Sequence, residues 1–156
     1  MMPEKLILPN EFLKIAEEEL KEGRSVRILA DGKSMYPFIH GGQDIAEIEP
    51  LGKEEELVKW RAYFFRWKGN YIIHRFLGEE NGEYIMLGDG NLKYEERPRR
   101  EDIIGVLNRL HRQDGSVIDC AAPRWKRNGK IWNKLLPLRR YLLALARRMS
   151  RYGITR

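Results

Sequence analysis

Cysteine is nearly missing from this sequence: Cys120 is the single one in 156 residues. No internal disulfide can form, and no metal-ligand spacing surrounds that thiol, which agrees with a reducing compartment. Long apolar runs are missing too. YLLALA near the C-terminus is among the longest, far below the roughly 20 residues that span a bilayer, so no transmembrane helix is expected. The opening MMPEKLILPNEFLKIAEEEL turns acidic after a brief apolar run and has neither the apolar core nor the small-residue cleavage site of a secretory signal. The cytoplasm is the expected compartment. No internal repeat or low-complexity segment appears. What is present, 42% hydrophobic and 10% aromatic residues, argues against disorder and suffices for one good core.

Acid is absent from the end of the chain. Between Arg124 and Arg156 there are eleven Lys or Arg and no Asp or Glu; that leaves 18 basic residues against all 23 acidic ones in the rest. A mildly acidic body carries a strongly basic tail. Such asymmetry points to an anionic partner: lipid head groups, nucleic acid or an acidic protein surface.

Periodicity divides the chain further. Residues 11–22 place Phe12, Ile15, Ala16 and Leu20 on one helical face, with Gly23 as the stop. Period-two, β-rich runs follow: SVRILA at 25–30, DIAEIE at 44–49, AYFFRW and NYIIHRFLG joined by Lys68-Gly69 as a hairpin, EYIML at 83–87, and IIGVLNRLHRQ and SVIDC joined by Asp114-Gly115 as a second hairpin. From Ile131 the helical period returns, with Leu138, Leu142, Leu145 and Met149 on one side, Arg140, Arg147 and Arg151 on the other, and Pro137 suited to a first turn. The expected fold is mainly β, with a helix at the N-terminal end and a basic amphipathic helix at the C-terminal end. The expected division is a body over residues 1–123 and a helical extension over 124–156.

Three β-region segments combine reactive side chains with turn residues: Ser34 in GKSMYPFIHGGQD, His74 in YIIHRF, and Asp89 in LGDGN, with Glu95 and Glu96 shortly after. A hydroxyl is a poor nucleophile until a base takes its proton. Histidine, with a reference pKa of about 6.5, does so near neutrality, and a carboxylate holds the imidazole in the useful tautomer. Each residue also has a plainer role. Ser34 and Asp89 suit turns, and His74 suits a strand core.

The order Gly-x-Ser-Met-x-Pro, then a strand ending Ile-His-Arg, then Leu-Gly-Asp-x-Asn, resembles the type I signal peptidase superfamily, which includes the self-cleaving SOS repressors. The resemblance covers roughly residues 25–107. It implies a mostly β fold, Ser34 as nucleophile, and His74 where many members carry a lysine. The chain is therefore similar to the histidine-using branch found in archaea, the endoplasmic reticulum and a sporulation-associated bacterial type. The carboxylates that this branch places in and after Gly-Asp-x-Asn fall on Asp89 and Glu95, with Asp89 favoured to orient His74. The resemblance further implies an oxyanion hole around Gly32, Lys33 and Met35. A side-chain hydroxyl is usual at the position of Gly32, and its loss costs about 2.7–4 kcal/mol where such a donor has been removed.

The expected activity is hydrolysis of an extended peptide or leader segment of a precursor, with small side chains near the cut, bound by strand addition. Neither metal nor cofactor is called for. The competing reading is a non-catalytic or regulatory peptide-binding member of the same fold. For the tail, the alternatives are residues 131–152 at the inner face of an anionic membrane or on an acidic partner, a helix packed on the body, and, least favoured, a nucleic-acid element, since no helix-turn-helix or aromatic platform appears.

Overall fold

The run AYFFRW lacks polar alternation because its strand is buried on both faces: Ala62 and Phe64 join one apolar cluster, Tyr63 and Phe65 the other. Burying a side chain of this size contributes about 1.5–3 kcal/mol relative to exposure, so this strand sits at the centre of the sheet. In the computed structural model, which describes residues 10–93 and 95–151, eight strands form one antiparallel sheet. They are β1 (Val26–Leu29), β2 (Ile45–Pro50), β3 (Ala62–Trp67), β4 (Asn70–Glu80), β5 (Glu83–Leu87), β6 (Glu95–Glu96), β7 (Ile103–His111) and β8 (Val117–Asp119). Their order is β1-β2-β7-β3-β4-β5-β6, with β8 paired to the second half of β7. The fold is mainly β, flanked by α1 (Asn10–Lys21), α2 (Pro123–Lys134) and α3 (Arg139–Arg151).

Turn chemistry sets the registers. Lys68 and Gly69 both have positive φ, 49° and 79°, the geometry of a two-residue hairpin turn, and they close Trp67 against Asn70. Asn81 and Gly82 repeat this between β4 and β5, with φ of 52° and 77°. The β7–β8 connection is longer than the two residues expected. Arg112 N–H donates to Ser116 O and Gly115 N–H to Arg112 O across it, and the Asp114 carboxylate accepts from Ser116.

Two helical expectations are corrected. The buried side of α1 contains Ala16, Glu17 and Leu20, with Leu13 against the same cluster, whereas Phe12 and Ile15 are exposed. The helix is turned this way because Glu17 faces inward, accepting the Tyr71 hydroxyl at 2.7 Å and pairing with Lys21 at 2.7 Å. At the other end, one helix from Ile131 becomes two. Pro123 opens the first, and Pro137 lies in a 3-10 turn (Leu136–Leu138) between them. A proline there lacks the N–H that a continuous helix needs. The side of α3 turned to the body is that of Arg139 and Leu143; Leu138 and Leu145 are exposed. No helix among the described residues is long and apolar enough to cross a membrane.

Candidate active site

Ser34 lies in the β1–β2 connection, whose two ends are tied together. Ala30 N–H donates to Asp44 O at 2.9 Å and Gly42 N–H to Ala30 O at 2.6 Å. The buried Asp44 carboxylate accepts from the His40 N–H at 2.7 Å and from Arg112 at 2.5 Å, while Arg112 also donates to Phe38 O at 3.0 Å. Inside this clamp the chain folds tightly: Tyr36 N–H reaches Lys33 O, and the N–H groups of Phe38 and Ile39 both reach Met35 O. Gly32 has φ of 75°, and Gly41 packs so closely on it that a Cβ at Gly41 would stand 2.8 Å from Gly32 N. The glycines of this stretch thus permit the close approach that fixes the Ser34 turn.

The LGDGN loop docks directly on that turn. Gly90 N–H donates to Ser34 O at 2.8 Å, and Asp89 N–H points at the Met35 sulfur at 3.4 Å. A Cβ on Gly88 would overlap Ser34 O and come within 2.9 Å of His74 Nε2. Gly88 is therefore the floor on which the serine segment and the imidazole meet. Both Ser34 and His74 line one cavity of about 400 Å³, whose walls include Leu13, Ile28, Ala30, Met35, Ile39, Phe64, Tyr71 and Ile73.

His74 is buried on β4 opposite Tyr63, with the Phe65 ring edge-on at 6.1 Å. Its Nδ1 meets the Glu96 carboxylate, itself buried. A carboxylate on Nδ1 fixes the proton there, which leaves Nε2 as the basic nitrogen. Among the described residues that Nε2 is buried without a hydrogen-bond partner. A buried acceptor left open in this way is costly for structure alone.

The expected orienting carboxylates are corrected accordingly. Asp89 does not meet His74; it binds Arg75, with Nη2 and Nε at 2.7 and 2.9 Å. The reason is strand geometry, since consecutive residues of β4 project to opposite faces. Glu95 is exposed and pairs with Arg97 at 3.5 Å. Of the expected oxyanion residues, Gly32 and Lys33 are exposed, and the Gly32 N–H is taken by the Asp31 carboxylate at 2.8 Å. Met35 is buried beneath the loop.

Arg75, which follows His74 in the Ile-His-Arg segment and suits a structural anchor for a carboxylate or carbonyl, and residues of the C-terminal helices that the sequence did not single out complete the arrangement. Arg75 donates to Trp60 O at 2.6 Å, and its guanidinium lies 4.6 Å from the Trp125 ring and 5.2 Å from that of Phe38. Gly129 of α2 makes this possible, because a Cβ there would collide with the guanidinium. Trp132 donates to Asp89 O at 2.7 Å, and Arg139 donates to Asn91 O at 2.8 Å and Gly88 O at 3.3 Å. Burial pulls the Arg139 pKa below its usual value, against the opposing charge of Asp89. The basic C-terminal helices therefore brace the LGDGN-loop backbone from behind. Their sequence signal was present in the two tryptophans, which stand out in an otherwise basic run.

Among the described residues no cluster of three or more His, Cys, Asp or Glu is arranged to hold a metal ion. In comparison with known proteins, the chain matches no family model and no curated sequence.

Proposed function

We propose that the chain is a serine endopeptidase in which Ser34 is the nucleophile, His74 the general base and Glu96 the group that orients it. One observation carries this reading: His74 is buried with Nδ1 on a carboxylate and Nε2 without a partner among the described residues, and it lines the same cavity as Ser34. Ser34 Oγ attacks the scissile carbonyl while Nε2 accepts its proton. The tetrahedral intermediate collapses as the imidazolium returns that proton to the leaving amine. Water then repeats the cycle on the acyl ester. Glu96 stabilises the imidazolium at each stage. The backbone N–H of Ser34 serves as oxyanion donor. With glycine at position 32, turnover is slow compared with an enzyme that has a second donor.

The substrate is an extended peptide segment running between the end of β1 and the start of β4. The cavity beside Ser34, about 400 Å³ and walled mostly by aliphatic and aromatic side chains, falls within the range of small-ligand pockets, roughly 300–1,000 Å³. It takes at least one large apolar side chain next to the cleaved bond, rather than the small ones the resemblance implies. A precursor made in the same cytoplasm is the natural source of such a segment.

A second reading, a non-catalytic peptide-binding member, is favoured by Gly32 alone. Labelling with a fluorophosphonate probe and mapping the adduct separates the two. A single adduct on Ser34, lost in Ser34→Ala and strongly slowed in His74→Ala, supports the peptidase. Equal uptake by wild type and Ser34→Ala rejects it.

A further inference from the structure

The α2–α3 pair presents a surface that peptide hydrolysis does not use. Its inner side is spent on the body, through Trp125, Arg139 and Leu143. Its outer side leaves large apolar groups in the open: Ile131 is 50% exposed, Leu138 54%, Tyr141 62% and Leu145 54%. Leu138, Tyr141 and Leu145 follow the i, i+3, i+7 spacing of one helical stripe. Around them Lys134, Arg140, Arg147, Arg148 and Arg151 are all exposed. Among the described residues none of these five cations is paired with a carboxylate, and no acid follows Asp119 in the sequence.

An aliphatic and aromatic stripe bordered by cations that no carboxylate neutralises has two needs, an apolar phase for the stripe and anions for its margins. Nucleic acid supplies the anions but gives the leucines nothing. An anionic lipid surface supplies both, with acyl chains below the phosphates. We propose that α3 and the turn before it dock the protein in the plane of an anionic lipid surface, with Leu138, Tyr141 and Leu145 entering the interface and the arginines resting on head-group phosphates. At 13 residues α3 is too short to cross a bilayer and suited to lying on one. The inference does not depend on Ser34 chemistry, so Ser34→Ala is expected to bind vesicles as wild type does.

Co-sedimentation of the full chain with vesicles tests it. Binding is expected to phosphatidylcholine vesicles doped with phosphatidylglycerol, and roughly tenfold or more weaker binding to phosphatidylcholine alone. Tyr141→Glu with Leu145→Glu, both at exposed positions and so compatible with folding, is expected to abolish vesicle binding. Arg147→Gln with Arg148→Gln is expected to weaken it in a salt-sensitive way. Absence of binding to the anionic vesicles, or binding unchanged by the Tyr141 and Leu145 changes, overturns the proposal. Duplex DNA that binds more tightly than the vesicles, with those two changes indifferent, overturns it in favour of a nucleic-acid surface.

Discussion

His74 turns its Nδ1 onto the carboxylate of Glu96, and both side chains are buried. Glu96→Gln keeps the volume and removes the charge that favours the imidazolium. The expected outcome is a fall in kcat of roughly 10²–10⁴ with KM little changed. Glu95→Gln, at an exposed position one residue earlier, is expected to leave kcat as it is. Steady-state kinetics on the two variants checks the assignment; a large loss in Glu95→Gln and none in Glu96→Gln would reverse it.

That neighbouring pair also shows where the sequence was legible and where it was not. The segments carrying Ser34, His74 and Asp89 can be recognised by their order, and strands β1 to β5 by their period or, for AYFFRW, by its β-rich composition. The choice between Glu95 and Glu96 is a matter of strand parity, because a shift of one residue exchanges the faces. In β6, Glu95 pairs with Leu87 and Glu96 with Met86, and Glu96 shares its inward parity with the fully buried Pro98. For Asp89, type and segment matched, yet its partner lies on the other side of β4. The tryptophans mark α2 as a packing helix, but nothing linear says that Trp125 and Gly129, some fifty residues away, build the cage in which Arg75 holds it.

Arg75 and Asp89 form a buried ion pair, and breaking it is expected to cost stability rather than chemistry. Asp89→Ala leaves a buried guanidinium without its counter-charge, a loss of about 3–5 kcal/mol. Thermal unfolding should shift downward by roughly 10 °C. A full loss of activity at unchanged Tm would instead return Asp89 to the catalytic set.

Arg139 acts on the site through the backbone of the LGDGN loop. Arg139→Ala leaves the Gly88 and Asn91 carbonyls without this donor, and the loop loosens beneath Ser34 and His74. A kcat loss of roughly 10- to 100-fold is expected from such a displacement. It should come with faster hydrogen exchange at the Gly90 N–H that bonds Ser34 O. Unchanged exchange at Gly90 would show that the loop holds itself.

Acid sensitivity should centre on Glu17. Burial raises its pKa, but hydrogen bonds from Lys21 and Tyr71 and the charge of Arg66 outweigh it, so the value falls below the ordinary 4.5. Burial and the same carboxylate push the Tyr71 hydroxyl up to about 12. Because the folded value of Glu17 is depressed, its contribution is present above about pH 4.5 and fades as pH falls through the folded pKa. Denaturant unfolding of Glu17→Gln should show a deficit at pH 7 that disappears in strong acid. A deficit independent of pH would mean that packing, not charge, is what Glu17 supplies.

The peptidase reading is tested most directly by incubating wild-type protein and Ser34→Ala with a diverse mixture of synthetic peptides and reading new termini by mass spectrometry. New termini should appear with wild type alone, with a large apolar side chain enriched beside the cut. No new termini from wild type, or the same termini from both proteins, would contradict a Ser34–His74–Glu96 peptidase.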